Sequence, residues 1–400
     1  MFRSLKISLI NLIVTLMIAL PLSAMGADFS LTSRTSATAW EEEDGTANSS
    51  ASEYVKFYNR GTLGGFRLDL EGYGRLTYME EEIEPGDEDP NRLYVLAMSL
   101  TSGDGREVII LGRQFVTALV GPEMIDGLYL QTETGKATFN ARWGYRSDVR
   151  GSSEEDTILG VGFDYNIKPG MHLSLDYGRT YDDHLLSELL ATEWVYNWYR
   201  FTKAYVNFNW DLMSRTLHES LVGTRLHFSD RFSATFELAH NVEVFDSDSI
   251  YSVFAVNAAF TRSFSLLFTP SRNTRYVWDY IVESHQGGGS GRRYKASGHW
   301  IAGRSKIKSS LLQHTGYGGN LVEVSASVTT PILKNFYAGI GGDFARTETQ
   351  GDESVSSYLT YLSGEWQLGP KTSVDLRLER TDDELTEPTQ SGRLALKVEF

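Results

Sequence analysis

Hydrophobic and polar residues alternate along many segments of this chain. The clearest segment is residues 66–78, in which every second residue from Phe66 to Leu76 is apolar or glycine. Because successive side chains of a β-strand point to opposite faces of a sheet, this alternation predicts a strand with one apolar and one polar face. The same pattern recurs in residues 139–145, 159–165, 171–177, 222–228, 232–238, 322–328, 336–340, 358–368 and 374–378.

The connections between these segments are of two kinds that alternate along the chain. Short turns are expected at residues 133–136, 167–170, 229–231 and 369–372. Longer acidic connections lie between them, at residues 41–44, 80–89, 154–156, 182–183, 352–353 and 382–384. Short turns at one end and longer loops at the other are typical of transmembrane β-barrels, in which the turns are periplasmic and the loops extracellular.

The N-terminus has the features of a secretory signal peptide. Arg3 and Lys6 precede an apolar run over residues 7–20, and small residues follow at 23–27. A run of this length is short for a spanning helix. We therefore expect a cleaved signal peptide at residues 1–26 and one domain at residues 27–400. No later run is long enough to span a membrane as a helix, so a membrane protein of this sequence has to be a closed barrel.

The last ten residues combine the same alternation with an aromatic residue at the end. Leu394, Leu396, Val398 and Phe400 alternate with polar or small residues, and Phe400 ends the sequence. This ending resembles the final strand of Gram-negative outer-membrane β-barrels. The resemblance implies that the barrel-assembly machinery reads Phe400 as an assembly signal and that the last strand pairs with the first. It also implies location in the cell outer membrane, in contact with its lipid and lipopolysaccharide.

The strand number follows from counting alternating segments. The count is about 23, whereas single-chain bacterial barrels have an even number of strands. Two stretches are ambiguous: residues 185–212 alternate poorly, and Pro270 and Asn273 mark either a bulge or a turn within residues 264–283. We predict an all-β fold, an antiparallel up-and-down transmembrane barrel of about 20–22 strands, with 22 preferred.

Composition removes several functional classes. The chain has no cysteine, which excludes disulfides and thiolate metal sites. Without Arg3 and Lys6 there are 35 basic and 52 acidic residues, a net charge of −17, which argues against nucleic-acid binding. The mean hydropathy of −0.27 fits a barrel with a wet interior, in which only every second strand residue meets lipid.

A short motif resembles one found in porins and alginate-export-type channels. It consists of Leu111-Gly112-Arg113-Gln114 followed by Ile125-Asp126-Gly127-Leu128. In those channels the Gly-Arg-Gln strand end precedes a loop that folds into the lumen. The resemblance implies a constriction loop at residues 115–124, with Arg113 facing inward beside Glu107. The alternative is that Arg113 is only a salt-bridge partner inside the lumen.

Seven charged residues are candidates for lining a pore. They are Arg67, Asp69, Glu71, Arg75, Arg113, Arg142 and Arg146. Rows of opposite charge across a lumen discriminate solutes by charge. The same residues could instead form a network that fills the interior, and the sequence leaves both alternatives open.

The sequence gives little evidence for metal binding or catalysis. The acidic segment 80–89 lacks the spacing of an EF-hand loop, and the eight histidines show no metal-ligand spacing. Asp182-Asp183-His184 has no nucleophile motif beside it, so we do not expect an enzyme. No cofactor and no metal site is expected.

The function that the sequence favours is a porin-like channel for passive passage of small hydrophilic solutes or ions. The alternative is a barrel sleeve that encloses a periplasmic or extracellular partner, such as a multihaem cytochrome in an outer-membrane electron conduit. A barrel of about 20 strands is wide enough to need a plug, and no separate plug domain is apparent.

Overall fold

A computed structural model of the chain describes residues 28–41, 47–79, 91–147, 153–182, 184–198, 201–241, 259–285, 288–316, 319–348, 354–384 and 388–400. The expected signal peptide and the acidic segment 80–89 lie outside the described residues. Among the described residues, no helix is long and apolar enough to cross a membrane.

The regular structure of the described residues is a series of 22 β-strands. In chain order they are β1 (Asp28–Glu41), β2 (Ala47–Leu63), β3 (Phe66–Met79), β4 (Arg92–Thr101), β5 (Glu107–Ala118), β6 (Gly121–Thr134), β7 (Ala137–Ser147), β8 (Ser153–Lys168), β9 (Met171–Tyr181), β10 (Leu185–Trp198), β11 (Thr202–Asp211), β12 (Thr216–Ser229), β13 (Phe232–Asn241), β14 (Ala259–Ser271), β15 (Thr274–His285), β16 (Ser290–Ala302), β17 (Ser305–Gly316), β18 (Asn320–Leu333), β19 (Phe336–Glu348), β20 (Ser354–Gly369), β21 (Thr372–Asp383) and β22 (Thr389–Glu399).

Each strand pairs antiparallel with its neighbours in sequence, and β22 pairs antiparallel with β1. The sheet is therefore closed and has no free edge. This confirms the predicted all-β antiparallel barrel and the preferred number of 22 strands. The predicted pairing of the last strand with the first is confirmed as well, over Thr32 opposite Glu399 to Trp40 opposite Ser391.

Both ambiguous stretches are hairpins. Residues 185–212 contain β10 and β11, and residues 264–283 span the connection of β14 to β15. Pro270 lies where the register of β14 against β15 shifts between Phe268 and Ser271, and the turn follows at residues 272–273. A proline lacks the N–H that a sheet ladder needs, so it is tolerated at such an irregularity. The region contains both the bulge and the turn.

The two faces of the wall differ as the alternation predicts. One face carries exposed Leu, Phe, Trp and Val side chains, among them Ile340, Leu376 and Trp366, which are 60%, 45% and 54% exposed. Their neighbours in sequence on the other face are charged, small or hydroxylated, such as Asp375 and Arg377. In a membrane the apolar face meets lipid, so the polar face is the inner wall of the lumen.

The chain ends at the seam where the barrel closes. The backbone N–H of Phe400 donates to the carbonyl of Leu31 at 2.8 Å, and Phe400 is 56% exposed. Phe400 thus adds the final backbone hydrogen bond between β22 and β1. The assembly role that the sequence suggests for Phe400 stays a prediction.

We predict that deleting Phe400 lowers the amount of inserted barrel, because the final strand loses its end and one seam hydrogen bond. Quantifying heat-modifiable barrel in outer-membrane fractions measures this. A Phe400→Tyr variant keeps an aromatic terminus and should insert normally. Wild-type insertion of the truncated chain would contradict the assigned role.

We also predict that the two faces tolerate charge differently. Leu376→Arg puts a charge against lipid and should lower the free energy of unfolding by about 2–4 kcal/mol near mid-membrane. Asp375→Arg should be far milder, because Asp375 lies on the inner face directly opposite Glu365. Urea unfolding of both variants refolded into vesicles makes the comparison, and equal destabilisation would show that the assigned faces are wrong.

Candidate functional site

The end of the β5–β6 hairpin leaves the barrel wall. The pairing of β5 with β4 stops at Arg113 opposite Leu96, and the pairing of β6 with β7 stops at Ile125 opposite Arg146. Beyond these positions β5 and β6 pair only with each other, as far as Ala118 opposite Gly121. Residues 114–124 are therefore a self-paired hairpin end attached to the wall at its base. The sequence predicted an inward loop at residues 115–124, and these residues form strand ends joined by a two-residue turn.

Three glycines lie side by side where the hairpin departs. Gly112, Gly127 and Gly144 share one register row across β5, β6 and β7. Gly112 has a φ of +114°, and a Cβ on it would lie 2.2 Å from the carbonyl oxygen of Leu96. A Cβ on Gly127 would lie 2.1 Å from the carbonyl oxygen of Trp143. The glycines of the motif are thus needed for close approach of three backbones at the bend.

The hairpin end lies against the inner wall formed by β9 and β11. The backbone N–H of Val120 donates to Asp176 Oδ2 at 3.4 Å, and Asn209 Nδ2 donates to the carbonyl of Val120 at 3.5 Å. Val120 is 8% exposed. Gly178 makes room for it, since a Cβ there would lie 2.9 Å from the Val120 side chain. The hairpin therefore crosses the inner faces of several strands.

A buried arginine links the hairpin to the wall. Arg142 on β7 donates from Nε to Glu123 on the hairpin at 2.6 Å, and from Nη1 to Asp176 on β9 at 2.8 Å. The Arg142 side chain is completely buried. It passes over Gly160 of the intervening strand β8, where a Cβ would lie 2.3 Å from the guanidinium carbon. A buried charge is tolerated when it is paired and hydrogen-bonded, and Arg142 has two carboxylate partners.

Apolar side chains also pack between the hairpin end and the inner wall. Val116, Ile125 and Ile158 form a buried cluster with Tyr129 packed against it, and Ile125 is completely buried. Phe115 lies on the opposite face of the hairpin and is 57% exposed. The hairpin end is therefore two-sided, with Val116 toward the wall and Phe115 toward the open lumen.

The first three predicted lining residues lie together on the inner face of β3. Asp69 accepts from Arg60 Nε at 2.8 Å, from Arg67 Nε at 3.0 Å and from the Tyr58 hydroxyl at 2.7 Å. The Asp69 charge is thus offset by two arginines. Glu71 follows two residues later on the same face and lines a separate cavity.

Arg75 and Arg146 also lie on the inner face. Arg75 is opposite Tyr54 of β2 and Arg92 of β4. Arg146 lies two residues beyond Arg142, with its Nη1 3.8 Å from Asp156. The structure brings Arg142 and Arg146 near the hairpin, and Arg67, Asp69, Glu71 and Arg75 to the wall on the other side of β4.

Arg113 differs from the inward position predicted from the sequence. It shares the face of Leu96 and Leu111, the apolar outer face, because β5 places odd-numbered residues there. Its Nη2 lies 2.5 Å from Asp126 Oδ2, and its Nη1 donates to the carbonyl of Leu93 at 3.0 Å. Arg113 and Asp126 therefore clamp the base of the hairpin on the face away from the lumen.

A cavity of about 780 Å³ lies against the inner wall at the barrel seam. It is lined by residues of β22, β1, β2, β3 and β4, among them Arg34, Lys56, Glu71, Tyr73, Arg393 and Lys397. Four of these are cationic and one is anionic. Sequence analysis missed the four cations, since a single strand of alternating residues does not tell which residues of the first and last strands meet.

Glu123 and Asp176 were also missed as functional residues. Glu123 falls within the predicted inward segment, and Asp176 is on the polar face of a predicted strand. Their charge pairing with Arg142 joins three non-adjacent parts of the sequence, so no local signal could have found it. Within the described part of the chain, no group of three or more His, Asp or Glu residues could hold a metal ion.

Comparison with solved structures finds proteins with a similar overall fold. OpdQ of Pseudomonas aeruginosa superposes with a TM-score of 0.50 at 9% sequence identity, over 94% of this chain and 98% of that one. OpdL of the same organism gives 0.50 at 11% identity, over 94% and 98%. The P pilus usher PapC translocation pore gives 0.52 at 9% identity, over 92% and 99%.

The chain has the fold of an outer-membrane β-barrel. At these identities the comparison supports the fold and nothing finer. No protein-family model matches the chain, and no curated protein matches it either.

We predict that Arg142→Met releases the hairpin end, because Glu123 and Asp176 lose their shared cation. Removing one partner of a buried ion pair costs about 3–5 kcal/mol. Hydrogen exchange of the amides in residues 114–124 should quicken, while exchange in distant strands such as β18 should not. The triple variant Glu123→Gln, Arg142→Met, Asp176→Asn removes all three charges and should regain part of the protection. Unchanged exchange in Arg142→Met would contradict the role of Arg142 as the link.

Proposed function

We propose that this barrel is a channel through which small hydrophilic solutes or ions pass the outer membrane passively. The observation that carries the proposal is the hairpin end at residues 114–124. It lies inside the lumen and is held against β9 and β11 by Val120, Asn209 and the Arg142 pair. A hairpin end on one wall narrows a wide lumen.

The lining of the remaining path is polar and charged. We propose that Arg67, Asp69, Glu71, Arg75, Arg142 and Arg146 belong to the inner wall, and that Arg113 supports the hairpin base instead. Asp69 is paired with both Arg60 and Arg67, so this group of three carries one net positive charge. Glu71, in the seam cavity, has more freedom to meet a solute. Charged groups around a constriction set the local field that a solute crosses.

The fold comparison supports a through-going lumen. PapC is described as a translocation pore, and it superposes on this chain with a TM-score of 0.52. The sequence analysis gave a second candidate, a sleeve around a partner such as a cytochrome. The observation that favours it is the width of a 22-stranded barrel, since the described part of the chain places only one hairpin end within the lumen.

We predict that the purified barrel shows single-channel steps in planar bilayers without any partner. Replacing residues 115–124 by two glycines should enlarge the conductance, because these residues occupy lumen space and pair with no wall strand. A barrel that gives no steps alone, and functions only with a bound partner, would favour the sleeve.

A tethered variant provides the control. The chain has no cysteine, so Val120→Cys with Asn209→Cys can be joined by a short thiol cross-linker without side reactions. The seated hairpin is the proposed conducting arrangement, and the tether should therefore leave conductance near wild type. Loss of conduction on tethering would contradict the proposal that solutes pass the hairpin while it is seated.

A further inference from the structure

We propose that the outer wall of β14–β16 binds the phosphate groups of lipopolysaccharide in the outer leaflet of the membrane. The site consists of Arg262 on β14 and Arg292 on β16, together with the aromatic side chains below them on the same face. The inference concerns the lipid-facing side of the wall, so it is independent of what passes through the lumen.

Arg262 and Arg292 lie on the outer face, which is otherwise largely apolar. Register places Arg262 directly between Leu238 of β13 and Val282 of β15, and Leu238 is 58% exposed. Arg292 lies opposite Val282 on the other side of β15. The two arginines therefore share one row of the sheet, two strands apart, which separates their backbones by about 10 Å. Both side chains are exposed.

Both arginines lie toward the extracellular end of the wall. Short turns connect β14 to β15 and β16 to β17, so these ends of the strands are periplasmic. Arg262 is nine residues from the periplasmic end of β14 at Ser271, and Arg292 is ten residues from that of β16 at Ala302. At about 3.3 Å per residue and a strand tilt of about 40°, the arginines lie about 23–25 Å above those ends. The apolar band of such barrels is about 25 Å tall, so the arginines reach the level of the outer-leaflet headgroups.

Neither arginine is neutralised by the protein. Within the described residues, Arg262 and Arg292 have no ion-pair partner. Each of the other outward-facing arginines on the described strands has a carboxylate beside it or directly opposite. These pairs are Arg113 with Asp126, Arg179 with Glu188, Arg346 with Glu348 and Arg380 with Asp382. The two unpaired arginines are therefore complementary to an anion supplied from outside the chain.

The chemistry of the side chain points to phosphate. A guanidinium group presents several N–H donors in one plane and can bind phosphate oxygens through two hydrogen bonds at once. An outward arginine costs about 2–4 kcal/mol at the bilayer midplane but only about 0–1 kcal/mol near the interface, so it is tolerated at this height. Because Arg262 and Arg292 are two strands apart, a headgroup with two phosphates can meet both of them.

An aromatic surface continues from the arginines toward the membrane centre. Phe264, Tyr280 and Tyr294 form the next outward row, two residues closer to the periplasm. The rings of Tyr280 and Tyr294 have centroids 4.8 Å apart, and those of Phe264 and Trp278 are 5.5 Å apart. Tyrosine and tryptophan suit the boundary between headgroups and acyl chains because each has an apolar ring and a polar group. The wall thus presents cations above aromatic rings, which matches a phosphorylated glycolipid with its acyl chains below.

Diphosphoryl lipid A is the probe, since it carries the phosphates and acyl chains of lipopolysaccharide. Native mass spectrometry of the full barrel in detergent should show wild type with bound lipid A. The double variant Arg262→Gln, Arg292→Gln should weaken this binding about tenfold or more, because two charge-assisted contacts are lost. The double variant Arg262→Lys, Arg292→Lys keeps the charge but loses the planar donors, and it should bind with intermediate affinity.

A matched control removes two other outward arginines from the same end of the barrel. Arg346→Gln with Arg380→Gln deletes the same charge, but each of these arginines already lies beside a carboxylate. This variant should bind lipid A like wild type. Equal weakening in the two glutamine variants would reduce the effect to net charge and overturn the site.

Two further lipids identify the ligand. Monophosphoryl lipid A has the same sugars but one phosphate fewer, so it should bind wild type more weakly than the diphosphoryl form. Phosphatidylglycerol, an anionic phospholipid with a single phosphate, should also bind more weakly. Equal affinity for the two forms of lipid A would overturn the contact of both arginines with phosphate. Binding of phosphatidylglycerol as tight as that of diphosphoryl lipid A would overturn lipopolysaccharide as the ligand.

Folding and conduction are read separately. The glutamine variant should insert and conduct like wild type, because neither arginine faces the lumen. Adding diphosphoryl lipid A to phosphatidylcholine vesicles should raise the urea midpoint of unfolding more for wild type than for the glutamine variant, since a ligand of the folded state stabilises it. If the glutamine variant inserts poorly, the lysine variant provides the comparison, and wild-type affinity for lipid A in that variant would contradict the role of the guanidinium groups.

Discussion

The structure depends first on the need to pair every backbone N–H and C=O inside a membrane. Lipid offers no hydrogen-bond partners, so a sheet there has to close on itself. Closure occurs between β1 and β22, and the N–H of Phe400 adds a last bond to Leu31. Once the ladder is closed, strand parity decides which side chain meets lipid and which meets the lumen. Asp375 and Leu376, which are neighbours in sequence, show how the two environments alternate along a strand.

The same constraint explains how a segment can leave the wall. Residues 114–124 give up pairing with β4 and β7, and they compensate by pairing with each other. The row of Gly112, Gly127 and Gly144 allows the backbone to bend there without side-chain clashes. The buried Arg142 then fixes where the freed end lies, because its two carboxylate partners come from the hairpin and from β9. Function is thus proposed for a place where the regular sheet is interrupted.

Sequence alone predicted the strands because a period of two is visible within each strand. It left the stretches 185–212 and 264–283 ambiguous, since bulges and weak alternation disturb that period locally. It predicted an inward segment after Gly-Arg-Gln and an inward Arg113, whereas the structure places Arg113 opposite Leu96 on the apolar face. Cross-strand register was not predictable, as it depends on every turn and bulge before it. That register places Arg34 opposite Lys397, and Arg142 reaches Asp176 by passing over Gly160 of β8.

The contrast between global and local charge has a physical consequence for the proposed channel. The formal net charge of the whole chain is −15, and salt screens exposed charges beyond about 10 Å at 0.1 M. A solute in the lumen is surrounded by low-dielectric walls, which focus the field of the nearest side chains. At the seam those side chains are Arg34, Lys56, Arg393 and Lys397, so the local sign is positive. Discrimination among solutes therefore depends on which residues the register brings together, and total composition does not reveal it.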